Sequence, residues 1–296
     1  MSFNEEYKKI KKLITAELDI IEQKMVEPID IQEPLKTHVI NFLKAPSKRI
    51  RPALAILLSK ATGEELTDEQ LELLSAIEIV HNASLIHDDI IDDCEIRRGN
   101  KTIAAEFNNK LGVISGDYLL SIAMEKIGQL NSLEILNEFS HNIKKMCIGE
   151  INQNFNRFKI GTIEEYIEKS KNKTGYLFET AIVCNLILSQ KISQNKFKNF
   201  GLNIGIAFQI RDDLLNILSI DTTKPSNNDI EEGIYNAPII YSGNPKDLTS
   251  GIEKTRGLLN NYVQEAEKVL TNLENNQYTI ALKKFLELLK DVYFIS

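Results

Sequence analysis

Apolar residues recur at three- and four-residue intervals from one end of the chain to the other, and no stretch alternates apolar with polar long enough to mark a strand. The spacing predicts helices over roughly residues 4–25, 31–44, 50–62, 67–93, 113–129, 131–158, 163–190, 194–219, 249–274 and 276–293. Thr67 followed three residues later by Gln70 is a capping-box signature for the fourth of these, and Gly63 closes the helix before it. Helices 67–93 and 194–219 carry apolar residues on nearly every side, as helices at the centre of a bundle do. Residues 95–102 and 221–245 read as irregular, the second stretch carrying Pro225, Gly233, Pro238 and Gly243. No repeat of solenoid period is present. The pattern predicts an all-α chain forming a single domain over residues 1–296.

Composition narrows the class. The chain has 296 residues, 43% hydrophobic and 26% charged, an ordinary globular balance. A formal net charge of −7 argues against a nucleic-acid backbone as partner. No apolar run reaches the length of a membrane span and the N-terminus has no signal-peptide core, so a cytoplasmic protein is expected. The three cysteines, Cys94, Cys147 and Cys184, lack metal-ligand spacing and read as free thiols.

Chemistry concentrates in two acidic strings. Residues 84–99 read SLIHDDIIDDCEIRRG. Asp88 and Asp92 stand four apart, so a helix puts them on one face one turn apart, with Asp89 beside them. No lysine lies nearby to neutralise them, and such carboxylates are stable with divalent cations between their oxygens. Arg97 and Arg98 follow, and their guanidinium forks suit phosphate oxygens. Residues 208–216 read FQIRDDLLN, where Asp212 and Asp213 again fall on a helix with Asn216 one turn after Asp212. Apolar neighbours such as Ile90, Ile91, Leu214 and Leu215 make these carboxylates costly to bury without ligands. Carboxylates, a hard cation and arginines together suit a polyphosphate ester.

These strings, with SKRIRP at 47–52, GEINQ at 149–153, KTGYLF at 173–178 and Lys224-Pro225, resemble the signatures of the trans-isoprenyl diphosphate synthases (polyprenyl synthetases), in the same order. The resemblance implies an orthogonal helical bundle around a central cavity, the isoprenoid synthase fold. It implies Mg²⁺-dependent condensation of isopentenyl diphosphate with an allylic diphosphate to an all-trans polyprenyl diphosphate. By the same resemblance Asp88, Asp92 and Asp212 would hold up to three Mg²⁺ (Mn²⁺ being the alternative ion), with Asp89 in support. Lys173, Lys224 and Arg97 would surround the allylic diphosphate. Lys48, Arg51, His81 and Arg98 would hold the isopentenyl diphosphate, and Thr174 and Gln209 would offer dipoles to the carbocation. Pro52 in a first helical turn supports a helix N-terminus beside Lys48 and Arg51, which itself favours anions.

Product length is expected to be hexaprenyl to octaprenyl, because Ala83 and Ser84, five and four residues before Asp88, are small where short-chain relatives carry bulky aromatics. The chain departs from the family at Pro46-Ser47 (normally glycines), at Asn216 (normally an acid) and at Ile234-Tyr235-Asn236 (often Lys-x-Thr). Two-component heptaprenyl and hexaprenyl synthases tolerate such changes, so either a homodimer or a heterodimer with a small regulatory subunit is expected, its product delivered to a membrane. Four other readings stand beside this one. A short-chain farnesyl or geranylgeranyl diphosphate synthase would share every motif. A terpene cyclase would have no use for Lys48, Arg51 and His81. A non-catalytic subunit should have lost Asp88, Asp92 or Asp212. A metal phosphohydrolase built on His87-Asp88 would need further ligands from His38, His81 or His141.

Overall fold

The helices form where the apolar spacing puts them. The computed structural model describes residues 3–189, 194–218, 233–244 and 247–292. In chain order it runs α1 (Phe3–Lys12), α2 (Thr15–Val26), α3 (Leu35–Lys44), α4 (Ile50–Ala61), α5 (Asp68–Ile91), a hairpin of β1 (Ile96–Arg97) and β2 (Asn100–Lys101), α6 (Ile103–Glu106), α7 (Asn109–Gln129) and α8 (Leu133–Phe155). There follow α9 (Ile163–Ser170), a π-helical turn at Lys171–Gly175, α10 (Tyr176–Ser189), α11 (Gln194–Ile217), α12 (Ala237–Ser242), α13 (Thr249–Leu270) and α14 (Gln277–Lys290). The all-α class is as expected.

The two helices that are apolar on nearly every side sit inside. α5 packs against α7, α10 and α2, and α11 against α10, α13 and the π turn. One hydrophobic cluster runs from Phe3 to Val292. In it Leu73, Leu74, Ile77 and Ile79 of α5 are fully enclosed, each contributing roughly 1.5–3 kcal/mol relative to exposure. The capping box forms as expected, with Gln70 N–H donating to Thr67 Oγ1 at 3.2 Å and Thr67 N–H to Gln70 Oε1 at 2.9 Å. A second box at Thr162 and Glu165 opens α9.

Beyond shifts of a few residues at helix ends, such as α3 starting at Leu35 and α7 at Asn109, four segments differ from the sequence reading in kind. The helix expected over 4–25 breaks at Leu13–Ile14 into α1 and α2. The helix expected over 163–190 is interrupted by the π turn, whose extra residue per turn shifts the face presented by Lys173 and Thr174. Within 95–102 lies the β1–β2 hairpin, too short to show alternation; its two turn residues Arg98 and Gly99 both have positive φ (52° and 78°), as a tight two-residue hairpin turn requires. Within 221–245 lies α12, which has proline in its first turn and ends on Gly243 at φ 64°. Among the described residues no helix is long and apolar enough to cross a membrane.

Candidate active site

One face of α5 supplies Glu78, His81, Ser84, Leu85 and Asp88, and Asp92 caps its end, its N–H donating to the Asp88 carbonyl at 2.9 Å. From α11, Phe208, Gln209, Asp212, Asp213 and Asn216 approach. Both sets line one cavity of about 560 Å³, completed by Lys48 and Arg51, by Arg97 and Arg98 of the hairpin, and by Lys173, Thr174 and Phe178. The two acidic strings, more than a hundred residues apart in sequence, therefore share a cavity. Ala83 and Asp89 do not line it. Ala83 is packed in the core, and Asp89 is buried in an ion pair with Arg97. Lys224 lies outside the described residues.

Close backbone approach builds the wall at the π turn. A Cβ on Gly205 of α11 would come within 2.6 Å of the Gly175 Cα, and one on Gly149 of α8 within 2.7 Å of the Asn172 Cβ. Glycine at these points lets the π turn sit between α8 and α11. It sets Lys173 at 3.5 Å from Glu150 and Thr174 at 2.7 Å from Gln209.

The acidic wall is short of positive charge. Burial pushes the Asp88 carboxyl up to about 6; Lys173 opposes the shift, while Glu150 and Asp92 reinforce it. Asp92 and Asp89 are raised by burial too, with Lys173 and Arg97 respectively working against the shift. Burial alone would lower the Lys173 pKa, but the carboxylates of Glu150, Asp88 and Asp92 outweigh it and hold the ammonium charged.

The basic wall shows the opposite imbalance. Arg51 is half-buried with its guanidinium over the Phe178 ring at 4.8 Å, and its buried Nε has no hydrogen-bond partner. Arg98 lies 5.7 Å over the Phe42 ring and donates to Asn82 Oδ1 at 3.4 Å. His81 is driven well below the ordinary imidazole range by burial and then by Arg51 and Arg98, so it is a neutral hydrogen-bonding group. Arg49, held at φ 51°, does not reach outward. Its guanidinium is tied to Glu22 at 3.0 Å, Glu78 at 3.3 Å and the Leu43 carbonyl at 2.5 Å, which locks the loop presenting Lys48 and Arg51.

The donor set fits hard divalent ions. Among the described residues no three His, Cys, Asp or Glu side chains close on one point. Mg²⁺ is commonly bound through one or two carboxylates with phosphate oxygens and water completing the shell, which matches the spread of Asp88, Asp92 and Asp212. A His87-based metal site does not form: His87 Nε2 contacts the Val113 carbonyl at 3.2 Å and Asp117 at 3.3 Å.

Several cavity residues had no role assigned from sequence. Gln153 lies in the GEINQ string, where only the string as a whole stood out; Glu150 of the same string stands outside the cavity lining and acts on it through Lys173. Asn236 is buried with its Oδ1 unpartnered, and Lys169 lines the wall at the end of α9. Tyr166, behind that wall, donates to Asp213 at 2.6 Å. No local pattern marked it.

Comparison with known proteins bears on this geometry. A family model described as polyprenyl synthetase matches residues 32–275. A prenyl transferase of Cyanophora paradoxa is 33% identical, covering 91% of this chain and 94% of its own length. Component 2 of the heptaprenyl diphosphate synthase of Bacillus subtilis is 30% identical over 80% of this chain and 69% of its own. The crystal structure of a heptaprenyl diphosphate synthase from Staphylococcus aureus superposes with a TM-score of 0.84 at 25% identity, covering 98% of each chain.

Proposed function

This chain belongs to the polyprenyl synthetase family and is an enzyme of the prenyl transferase class, and we propose that it condenses isopentenyl diphosphate with an allylic diphosphate to an all-trans polyprenyl diphosphate of hexaprenyl to octaprenyl length. One observation carries the reading: two sets of aspartates and a separate set of half-buried arginines line a single cavity. That is a site for two diphosphates held in different ways.

Asp88, Asp92 and Asp212 would hold Mg²⁺, and Mn²⁺ suits the same oxygens. When bound, the ions would neutralise the negative charge that builds as the allylic C–O bond breaks. Lys173 and Arg97 add fixed positive charge beside the same diphosphate. Arg51, with its unpartnered Nε, accepts the second diphosphate together with Lys48, Arg98 and the neutral imidazole of His81. Thr174 and Gln209 turn dipoles toward the carbon that becomes cationic. The isopentenyl alkene then attacks that carbon, and the proton lost from the new chain passes to the released diphosphate. Ser84 and Leu85, directly before Asp88 on the same helix face, would begin the apolar path for the growing hydrocarbon.

The relative named as component 2 supports one variation, that this chain works fully only beside a small partner subunit. The alternative is a second copy of itself. The test is incubation of the purified chain with labelled isopentenyl diphosphate, farnesyl diphosphate and Mg²⁺, alone and with a candidate small subunit. The expected result is a metal-dependent polyprenyl diphosphate of six to eight units. Absence of any condensation in both arms would refute the reading, and a C20 or C25 end product would refute the length.

A further inference from the structure

Behind the cavity wall, a chain of three hydrogen bonds runs from α9 through α11 to the π turn. Tyr166 is buried at 2% exposure, and its hydroxyl donates to Asp213 Oδ2 at 2.6 Å. The other oxygen, Asp213 Oδ1, accepts from Gln209 Nε2 at 3.0 Å. Gln209 Oε1 in turn accepts from Thr174 Oγ1 at 2.7 Å.

The order of donors follows from chemistry. A carboxylate only accepts, so whatever amide end faces Asp213 must be the NH₂. The Gln209 carbonyl oxygen then points the other way, and the Thr174 proton is committed to it. The amide keeps one further N–H, and the acceptors that both side chains have left for the cavity are oxygen lone pairs. These sit beside Lys173, where positive charge would develop as an allylic diphosphate departs with its electron pair. An Asp213 carboxylate that could swing away from Gln209 would release this constraint and let the amide turn over.

Tyr166 itself is well held. The Ser170 hydroxyl donates to its carbonyl at 2.9 Å, and the Lys169 ammonium lies 5.6 Å over its ring. The contact between Gly175 and Gly205 fixes the spacing across which Thr174 and Gln209 bond.

We propose that Tyr166 is a positioning residue for the ionisation step: it pins Asp213 as an acceptor, so that Gln209 and Thr174 turn oxygen toward the developing allylic cation. The proposal rests on the condensation reading above. Tyr166 touches no substrate and acts through Asp213.

The test is Tyr166→Phe, which keeps the ring and removes the donor. Steady-state condensation of farnesyl and isopentenyl diphosphates with Mg²⁺ is measured together with binding of two unreactive allylic analogues. One is an ammonium analogue that imitates the cation, the other a thiolodiphosphate that imitates the ground state. The variant should lose about tenfold in kcat with both KM values within twofold. It should bind the ammonium analogue about tenfold more weakly and the thiolodiphosphate unchanged. Asp213→Asn, which offers an NH₂ as well as an oxygen and so no longer dictates the Gln209 amide, should show the same pattern; it carries the test if Tyr166→Phe does not fold. The proposal is overturned if a folded variant keeps kcat and ammonium affinity within twofold of the parent. Equal weakening of both analogues also overturns it, because that marks a general loss of site shape. Failure of the condensation reading is seen separately, as no product from the unsubstituted protein.

Discussion

His81 and Asp88 stand seven residues apart on one face of α5 and look into the same cavity, yet their surroundings are opposite. Around His81 the protein supplies cations in excess: burial and then Arg51 and Arg98 keep the imidazole uncharged. Around Asp88 it supplies anions in excess: burial, Glu150 and Asp92 push the carboxyl up to about 6 against Lys173. A fold that only had to be stable would pair these groups with each other. Keeping them apart leaves one wall ready for an anion and the other ready for a cation. On the proposed reading the two walls would therefore hold diphosphates by different means, one with guanidinium groups already in place and the other with ions that arrive from solution.

The comparison breaks most sharply at the acidic wall. Asp88→Asn keeps the shape and removes a metal-binding charge; kcat should fall by about 10³-fold, the scale of removing a preorganised transition-state contact. Affinity for isopentenyl diphosphate, measured by calorimetry, should stay within about threefold. Equal loss of both would mean that the walls are not separate. The basic wall gives the converse. Arg51→Gln should raise the KM for isopentenyl diphosphate about 10- to 100-fold, the worth of one or two charge-assisted hydrogen bonds. The allylic KM should move little. Arg51→Lys should rescue poorly, since a point charge reproduces neither the fork nor the stacking on Phe178.

A third substitution probes the space between the walls. Ser84 lines the cavity and donates to the His81 carbonyl at 2.9 Å, whereas Ala83 is 3% exposed and enclosed by core. Ser84→Phe should shorten the product by one or more isoprene units with little change in melting temperature, read by chromatography. Ala83→Phe should overpack the core and destabilise by about 1–3 kcal/mol. The residue adjacent in sequence thus makes the control.

The helical class was legible because periodicity is a property of the chain itself. So was the pairing of the two acidic strings, since carboxylates set among Ile90, Ile91, Leu214 and Leu215 need some ligand. The interruption of the expected helix over 163–190 was not legible. Its π turn depends on Gly149, Gly175 and Gly205 letting three backbones touch, and contact between distant segments leaves no local signature. For the same reason nothing in the sequence marked Tyr166, whose partner Asp213 lies on α11. The roles of Asp89 and Ala83 were blurred by the helix itself: each is next in sequence to a cavity residue, and one step along a helix turns a side chain by about 100° away from it.

The smallest effect tests the claim that the acidic wall is unbalanced in the protein without metal. A carboxyl that binds its proton more tightly when folded adds stability that is complete below the ordinary carboxyl range and is lost as the pH rises through its folded value, here about 6. At pH 7, without metal, Asp88 is therefore an anion that the fold would rather not hold. Asp88→Asn should raise the melting temperature there by about 2–4 °C, corresponding to about 1 kcal/mol once the solvent reaching this wall is allowed for. The difference should shrink as the pH falls through 6 and vanish below the ordinary carboxyl value of 3.8, where the parent carboxyl is protonated in both states. Adding Mg²⁺ with an unreactive diphosphate should reverse the order, because only the parent gains the ion's binding energy. A variant less stable than the parent in metal-free buffer at pH 7 would mean that Asp88 is already satisfied by the protein, and the contrast between the two walls would fall with it.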